Sequence, residues 1–188
     1  MRRAVFLDRD GTINEEMGYI NHLSRFQLLP NSARAIARLN QAGLAVIVVT
    51  NQSGVARQYF PASLIEQVHA KMQELLAAQG ARVDGIYVCT HGPEAACNCR
   101  KPKPGLLEQA ARDLRIDLEK SYVVGDRFND LHVAAAVGAK GILVLTGYGR
   151  GEVEHYQGPR LVTPAYIAAD LDEAATWILA DLRRQEDS

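Results

Sequence analysis

The sequence predicts an α/β fold in which a central, mainly parallel sheet is covered by helices on both faces. Three features carry that expectation. Short apolar, β-branched runs alternate with segments of helical period along the chain. The first two runs, "RAVFLD" and "LAVIVVTN", are almost continuously apolar, as strands buried on both faces are, and both end in polar residues. No internal repeat, low-complexity tract or proline-rich linker interrupts the pattern, so 188 residues with a 47% hydrophobic share form one domain, 1–188.

The elements follow in order. "RAVFLD" is a short strand closed by the turn signal Asp10-Gly11. "NSARAIARLNQAG" places Ala33, Ile36, Ala37 and Leu39 at helical spacing, with Asn31 or Ser32 as candidate N-cap and Gly43 as the stop. "LAVIVVTN" completes a β-α-β unit. "ASLIEQVHAKMQELLAAQG" is a helix ending at Gly80, "DGIYVCT" a strand, "PGLLEQAARDLRI" a helix with Pro104 near its start, and "SYVVGD" a strand. "NDLHVAAAVGA" is a helix and "GILVLT" a strand. "AADLDEAATWILADLRRQ" closes the chain as an amphipathic helix, with Leu171, Ala174, Ala175, Ile178, Leu179 and Leu182 on one face. "TGYGRG" has glycines at loop spacing but no strand-turn-helix context, so it is read as a loop that binds no cofactor.

Composition narrows the partners. Twenty-one basic residues against 22 acidic ones give a formal charge of −1 without blocks of one sign, which argues against nucleic acid or an anionic membrane and for a small molecule. The longest strongly apolar run, Leu44 to Val49, is far short of the roughly 20 residues that cross a bilayer. "MRRAVFLD" does not read as a secretion signal. The three cysteines fall within eleven residues, an odd set that suits metal ligation better than disulfides and points to a reducing, cytoplasmic setting. With no exposed apolar stripe, a monomer is expected.

Chemistry gathers at the strand ends. The clusters "DRDGT", "TNQSG", the Cys-rich stretch with "RKPKPG", and "GDRFND" should converge on one crevice beyond the carboxyl ends of the strands. Asp8 and Asp10 are two carboxylates that a turn can aim at one ligand, and they repel unless a cation intervenes. Magnesium, an oxygen-seeking ion held by carboxylates and phosphate, fits that need, and Asp126 and Asp130 add acidic groups. Spacing does not choose between Lys101 and Lys103. Cys89, His91, Cys97 and Cys99 form a C-x-H-x5-C-x-C set, four thiolate and imidazole ligands as in a closed structural zinc site, so residues 89–99 read as a zinc-tied loop. Arg9 is expected to project from the strand end without a chemical role. His22, His69, His132 and His155 lie outside the clusters and are expected at the surface.

D-x-D-G-T at Asp8 to Thr12, Thr50 after a hydrophobic strand, Lys101, and G-D-x-x-x-D from Gly125 to Asp130, in that order, resemble the haloacid dehalogenase superfamily of phosphotransferases. The resemblance implies a Rossmann-like three-layer sandwich. It also implies that Asp8 is the nucleophile forming an aspartyl phosphate, and Asp10 the general acid and then base. Magnesium would be held by Asp8, the Asp10 carbonyl and Asp126, with Asp130 in the first or second shell of ligands. Thr50 would bind a phosphoryl oxygen, and Lys101, favoured over Lys103, would offset transition-state charge.

With the zinc loop running directly into "CRKPKPG", the chain is more narrowly similar to the heptose bisphosphate phosphatase family, relatives of the histidinol-phosphate phosphatases. That family has no large cap domain and recognises substrate with short loops. By position, Glu16, Met17, Gly18 and Tyr19 would touch the sugar. Thr50, Asn51, Gln52 and Ser53 would frame the transferred phosphate, while Arg100 would bind the far end, a task its planar fork suits. Arg127 stands where relatives often have lysine, and the spacer between His91 and Cys97 is shorter than in some of them. The implied activity is removal of the 7-phosphate from a heptose 1,7-bisphosphate. Alternatives are histidinol phosphate or another small phosphomonoester, and a zinc-stabilised binding module without catalysis.

Overall fold

The computed structural model describes residues 1–156, 158 and 162–186. The strands are β1 Ala4–Leu7, β2 Ala45–Asn51, β3 Gly85–Cys89, β4 Tyr122–Gly125, β5 Lys140–Val144 and β6 Tyr166–Ala168. The helices are α1 Ser32–Gln41, α2 Ala62–Ala77, α3 Gly105–Leu114, α4 Phe128–Ala136, α5 Gly149–His155 and α6 Leu171–Glu186. One six-stranded sheet runs β3-β2-β1-β4-β5-β6, and every pairing in it is parallel.

Alternation along each strand divides the core into two layers. Val5, Leu7, Val46, Val48 and Val124 face one side, packing with Ile36 and Leu39 of α1, Met72 of α2 and Ile178 of α6. Ala4, Phe6, Ile47, Val49 and Val123 face the other, against Leu106 and Leu107 of α3 and Val133 of α4. Side chains of successive strand residues point to opposite faces, so such runs must be apolar throughout, and the three-layer sandwich follows. No insertion of cap-domain size separates the described elements.

The structure adds to and corrects the sequence reading in detail. Asn31 occupies the α1 N-cap but makes no capping bond with its side chain; its backbone is left-handed, and the Ser32 hydroxyl donates instead to the Leu29 carbonyl. Three elements were not expected. Leu23–Arg25 makes a single 3-10 turn, part of "TGYGRG" begins α5, and β6 is a three-residue edge strand. All are too short to imprint a period on the sequence.

Strand order reverses between β1 and β4, since β2 and β3 extend one way and β5 and β6 the other. A crevice opens at such a reversal, outside the carboxyl ends of the strands. Asp8 follows β1 there and Asp126 follows β4.

Candidate active site

Asp8 leaves the sheet still tied to it, its N–H donating to the Val124 carbonyl of β4 at 2.9 Å. Its carboxylate meets the Lys101 ammonium at 2.9 Å, and the same ammonium lies 2.6 Å from Asp130 and donates to the Val49 carbonyl at 3.0 Å. Asp8, Asp126 and Asp130 each bring a carboxylate oxygen to within 4.8 Å of the others. Lys101 arrives from the segment after the cysteines. Asn51 at the end of β2 holds it there, its amide giving a bond to the Lys101 carbonyl at 3.2 Å and taking one from the Lys101 N–H at 3.1 Å. Lys103 instead donates to the Cys97 carbonyl at the surface.

Electrostatics follow from this crowding. Burial pushes Asp8 up to about 7 against the pull of Lys101, with Asp130 and Asp10 adding to the rise. Burial also pushes Asp126 up to about 8, helped by Asp8 and Asp130. Lys101 is held above its ordinary value by Asp130 and Asp8 although burial opposes it. Three clustered acids, of which only Asp8 and Asp130 pair with the one ammonium, are short of positive charge. Asp126 Oδ1 is buried without a hydrogen-bond partner, and the donors are all hard oxygens. This set fits a magnesium ion.

Asp126 is seated by residues that sequence reasoning passed over. The Tyr148 N–H donates to its Oδ2 at 2.8 Å, and the Thr146 hydroxyl donates to the Gly11 carbonyl at 2.6 Å. Gly11 and Gly147 both have positive φ, and a Cβ on either would strike Asp126 Oδ2. The "TGYG" segment, read as an idle loop, is the floor of the acidic cluster.

Asp10 is turned to different partners. Arg9 grips it with Nη2 at 2.9 and 3.0 Å, Asn14 donates at 2.9 Å, and Gln52 donates at 2.8 Å. Gln52 also donates to the Thr50 hydroxyl at 2.8 Å. Burial alone would raise Asp10, but Arg9, Asn14 and Gln52 hold it below the ordinary carboxylate range.

Arg9 and two histidines correct the sequence reading. Arg9 is 1% exposed and packed inside the site, and His69 is 8% exposed with its ring against Arg9. A signal for His69 was present: Ile65, His69, Met72 and Leu76 share one stripe of α2, and all are buried. His132 is only partly exposed, with Nε2 buried. His22 and His155 are exposed, as expected.

These groups line a cleft of about 270 Å³. Asp8, Asp10, Glu16, Gly18, Tyr19, Thr50, Asn51, Gln52, Ser53, Arg100, Lys101, Arg127 and Asp130 border it, joined by Ile20, Asn129 and Tyr148, which the sequence did not single out. Met17 does not border it; its side chain packs on the apolar core, and only its carbonyl is used, by the Tyr19 N–H and by Arg25. The Arg127 guanidinium lies 3.7 Å from the centroid of the Tyr148 ring, a cation-π pair at the rim.

At the end of β3, Cys89, His91, Cys97 and Cys99 bring Sγ and Nδ1 atoms together: Cys89 to Cys99 at 3.1 Å, His91 to Cys99 at 3.2 Å and Cys89 to Cys97 at 3.9 Å. No disulfide links the three cysteines. Burial and the neighbouring thiols push Cys89 up to about 12, so the cluster lacks a positive partner. Three sulfurs and one imidazole nitrogen fit a zinc ion with no ligand position left over.

The family model described as haloacid dehalogenase-like hydrolase matches residues 5–135, and a second, HAD-hydrolase-like, matches 98–174. A Pseudomonas putida protein named D-glycero-beta-D-manno-heptose-1,7-bisphosphate 7-phosphatase is 46% identical over 81% of this chain and 87% of its own. A Thermosynechococcus vestitus protein named D-glycero-D-manno-heptose-1,7-bisphosphate 7-phosphatase is 43% identical over 96% of this chain and 97% of its own. Among solved structures, the D,D-heptose 1,7-bisphosphate phosphatase of B. bronchiseptica, complexed with magnesium and phosphate, aligns with TM-score 0.87 and 38% identity over 95% of this chain and 99% of that one. The chain belongs to the haloacid dehalogenase-like hydrolases and, within them, to the heptose bisphosphate phosphatases, a group of phosphoric monoester hydrolases.

Proposed function

We propose that this chain removes the 7-phosphate of D-glycero-D-manno-heptose 1,7-bisphosphate, depends on magnesium, and works through a phosphate ester of Asp8. One observation carries the catalytic reading: the carboxylates of Asp8, Asp126 and Asp130 gather where the strand order reverses, and two of them, Asp8 and Asp130, pair with the Lys101 ammonium. The substrate rests on similarity to the Pseudomonas and Thermosynechococcus relatives and on a cleft with three cationic side chains, Arg100, Lys101 and Arg127. The Pseudomonas relative's name makes the β anomer the first compound to assay.

Asp8 attacks the phosphorus, a P–O bond to its carboxylate forms, and the P–O bond to the sugar breaks. The leaving alkoxide takes a proton from Asp10. In the free protein Asp10 is biased to the carboxylate, and the negative charge of an arriving phosphate favours protonation. Asp10, now a base, takes a proton from water as that water attacks phosphorus and releases Asp8. Thr50 donates to a phosphoryl oxygen, and Lys101 balances the developing charge. Magnesium held by Asp8, the Asp10 carbonyl and Asp126, with Asp130 bound directly or one shell out, would neutralise phosphoryl oxygens. Arg100 and Arg127 would grip the second phosphate, with Glu16, Gly18 and Tyr19 along the sugar. Zinc on the four Cys and His ligands would fix the loop that leads to Arg100 and Lys101, outside the chemistry. We place this activity in the cytoplasm, in a monomer without membrane or nucleic-acid partners; no described helix is long and apolar enough to cross a membrane.

Turnover of both heptose bisphosphate anomers, histidinol phosphate and a simple phosphomonoester tests the reading. Heptose bisphosphate should have the highest kcat/KM, and Asp8→Asn should release no phosphate while keeping its circular dichroism. Wild-type turnover by Asp8→Asn would remove the nucleophile, and preference for histidinol phosphate would replace the substrate.

A further inference from the structure

Asp10 needs a fixed direction more than most catalytic carboxylates, because one group must give a proton to a sugar oxygen and then take one from water. Its two oxygens accept five hydrogen bonds, and Arg9 supplies three: Nε at 3.3 Å, and Nη2 at 3.0 and 2.9 Å. The Arg9 side chain is 2% exposed, so no water shell orients it. Its remaining arm, Nη1, lies 3.2 Å from Nε2 of His69, on α2. A guanidinium has only donors, so His69 Nε2 must be the acceptor, which makes the ring neutral with its proton on Nδ1. His69 and Asp10 thus hold opposite sides of one planar group and fix its orientation.

We propose that Arg9 and His69 form a positioning clamp that fixes the Asp10 carboxylate for both proton transfers, His69 acting through Arg9. The clamp rests on the proposed acid and base role of Asp10. His69 is not among the residues that line the cleft, and neither is any other residue of α2. Its burial among Ile65, Met72 and Leu76 calls for an apolar residue, yet a polar ring stands there facing a buried cation.

The experiment uses the full chain saturated with magnesium and zinc, with heptose bisphosphate and 4-nitrophenyl phosphate as substrates and Asp10→Asn as reference. For the sugar phosphate, His69→Leu should lower kcat tenfold or more with KM within twofold. His69→Gln, whose side-chain carbonyl can accept the Arg9 N–H, should recover most of the loss. Arg9→Met combined with His69→Leu should cost little more than Arg9→Met alone, because the two act as one unit. Nitrophenolate leaves without help from an acid, so His69→Leu should release it in a burst while the Asp8 ester, waiting for its base, accumulates.

Equal kcat for His69→Leu and His69→Gln, a loss lying wholly in KM, or independent effects of Arg9 and His69 would overturn the clamp. Should His69→Leu fail to fold, Arg9→Lys decides: lysine keeps the charge but cannot bridge Asp10 and His69, so kcat should fall, and an unchanged kcat overturns the proposal. An active wild type and a dead Asp10→Asn beside an unaffected His69→Leu would remove the clamp alone. Asp10→Asn at the wild-type rate would remove the acid and base role, and the clamp with it.

Discussion

Lys101 and Lys103 stand two positions apart in "RKPKPG", and only their surroundings distinguish them. Lys101 is 5% exposed between two carboxylates, whereas Lys103 reaches out to a loop carbonyl. Lys101→Met should lower kcat on the order of 100-fold, as loss of a preorganised charge does, and Lys103→Met should change it less than twofold; steady-state kinetics on the two variants checks this. His69 brings a pH dependence of stability. Burial, then Arg9, pushes its ring down to about 4 from 6.5, so between those values the unfolded chain binds more protons than the folded one. Stability is therefore complete above about pH 6.5 and falls as pH drops toward 4, by up to about 3 kcal/mol. Urea unfolding at pH 7 and pH 4.5 should show a smaller acid loss for His69→Gln than for the wild type. Residue type and spacing made Asp8, Asp10, Asp126 and Asp130 conspicuous in the sequence. Arg9 and His69 were not, because what brings them together is a side-chain contact between residues 60 positions apart in the chain.

Among the elements, the loop after β3 depends most on its own ligands. Cys97 and Cys99 are only partly buried, and the backbone bonds inside the loop are turns such as Ala95 N–H to the Gly92 carbonyl. Such a segment has little apolar burial of its own, and the proposed zinc would order it. Cys97→Ala should lose bound zinc, lower the melting temperature and raise KM, read by metal analysis, thermal unfolding and kinetics; a variant with unchanged zinc content would refute the assignment. The donor spacing made this loop legible in the sequence. The segment after β5 was not, because its role lies in the space that missing side chains leave. At Gly11 and Gly147 a methyl group would collide with Asp126, and the positive φ at both disfavours other residues. Gly147→Ala should displace Asp126 and cut turnover while the far side of the sheet holds, checked by kcat with the melting temperature alongside. Nothing in a glycine-rich string announces that a carboxylate lies across from it.

Over the whole molecule, two donor clusters of opposite chemistry that could each hold a metal ion lie at one end of the sheet, hard oxygens from Asp8, Asp126 and Asp130 and sulfur with imidazole after β3. They should respond separately. Dialysis into magnesium-free buffer should abolish phosphate release without altering circular dichroism, and added magnesium should restore it; irreversible loss would contradict the assignment. The alternation of apolar runs gave away the layers and the parallel sheet, since buried parallel strands leave no other reading of such segments. Strand order was not legible, because lateral placement depends on which helices cross which face, and β6, with three residues beside the edge of β5, carried too little pattern to be seen.

That order has a consequence for biosynthesis. β1 precedes the other five strands in the chain but lies mid-sheet, hydrogen-bonded on one flank to β2 and on the other to Tyr122–Gly125, more than a hundred positions later. Until the ribosome has delivered β4, the nascent chain carries an open, fully apolar strand edge, a template for wrong pairing that chaperones would have to shield.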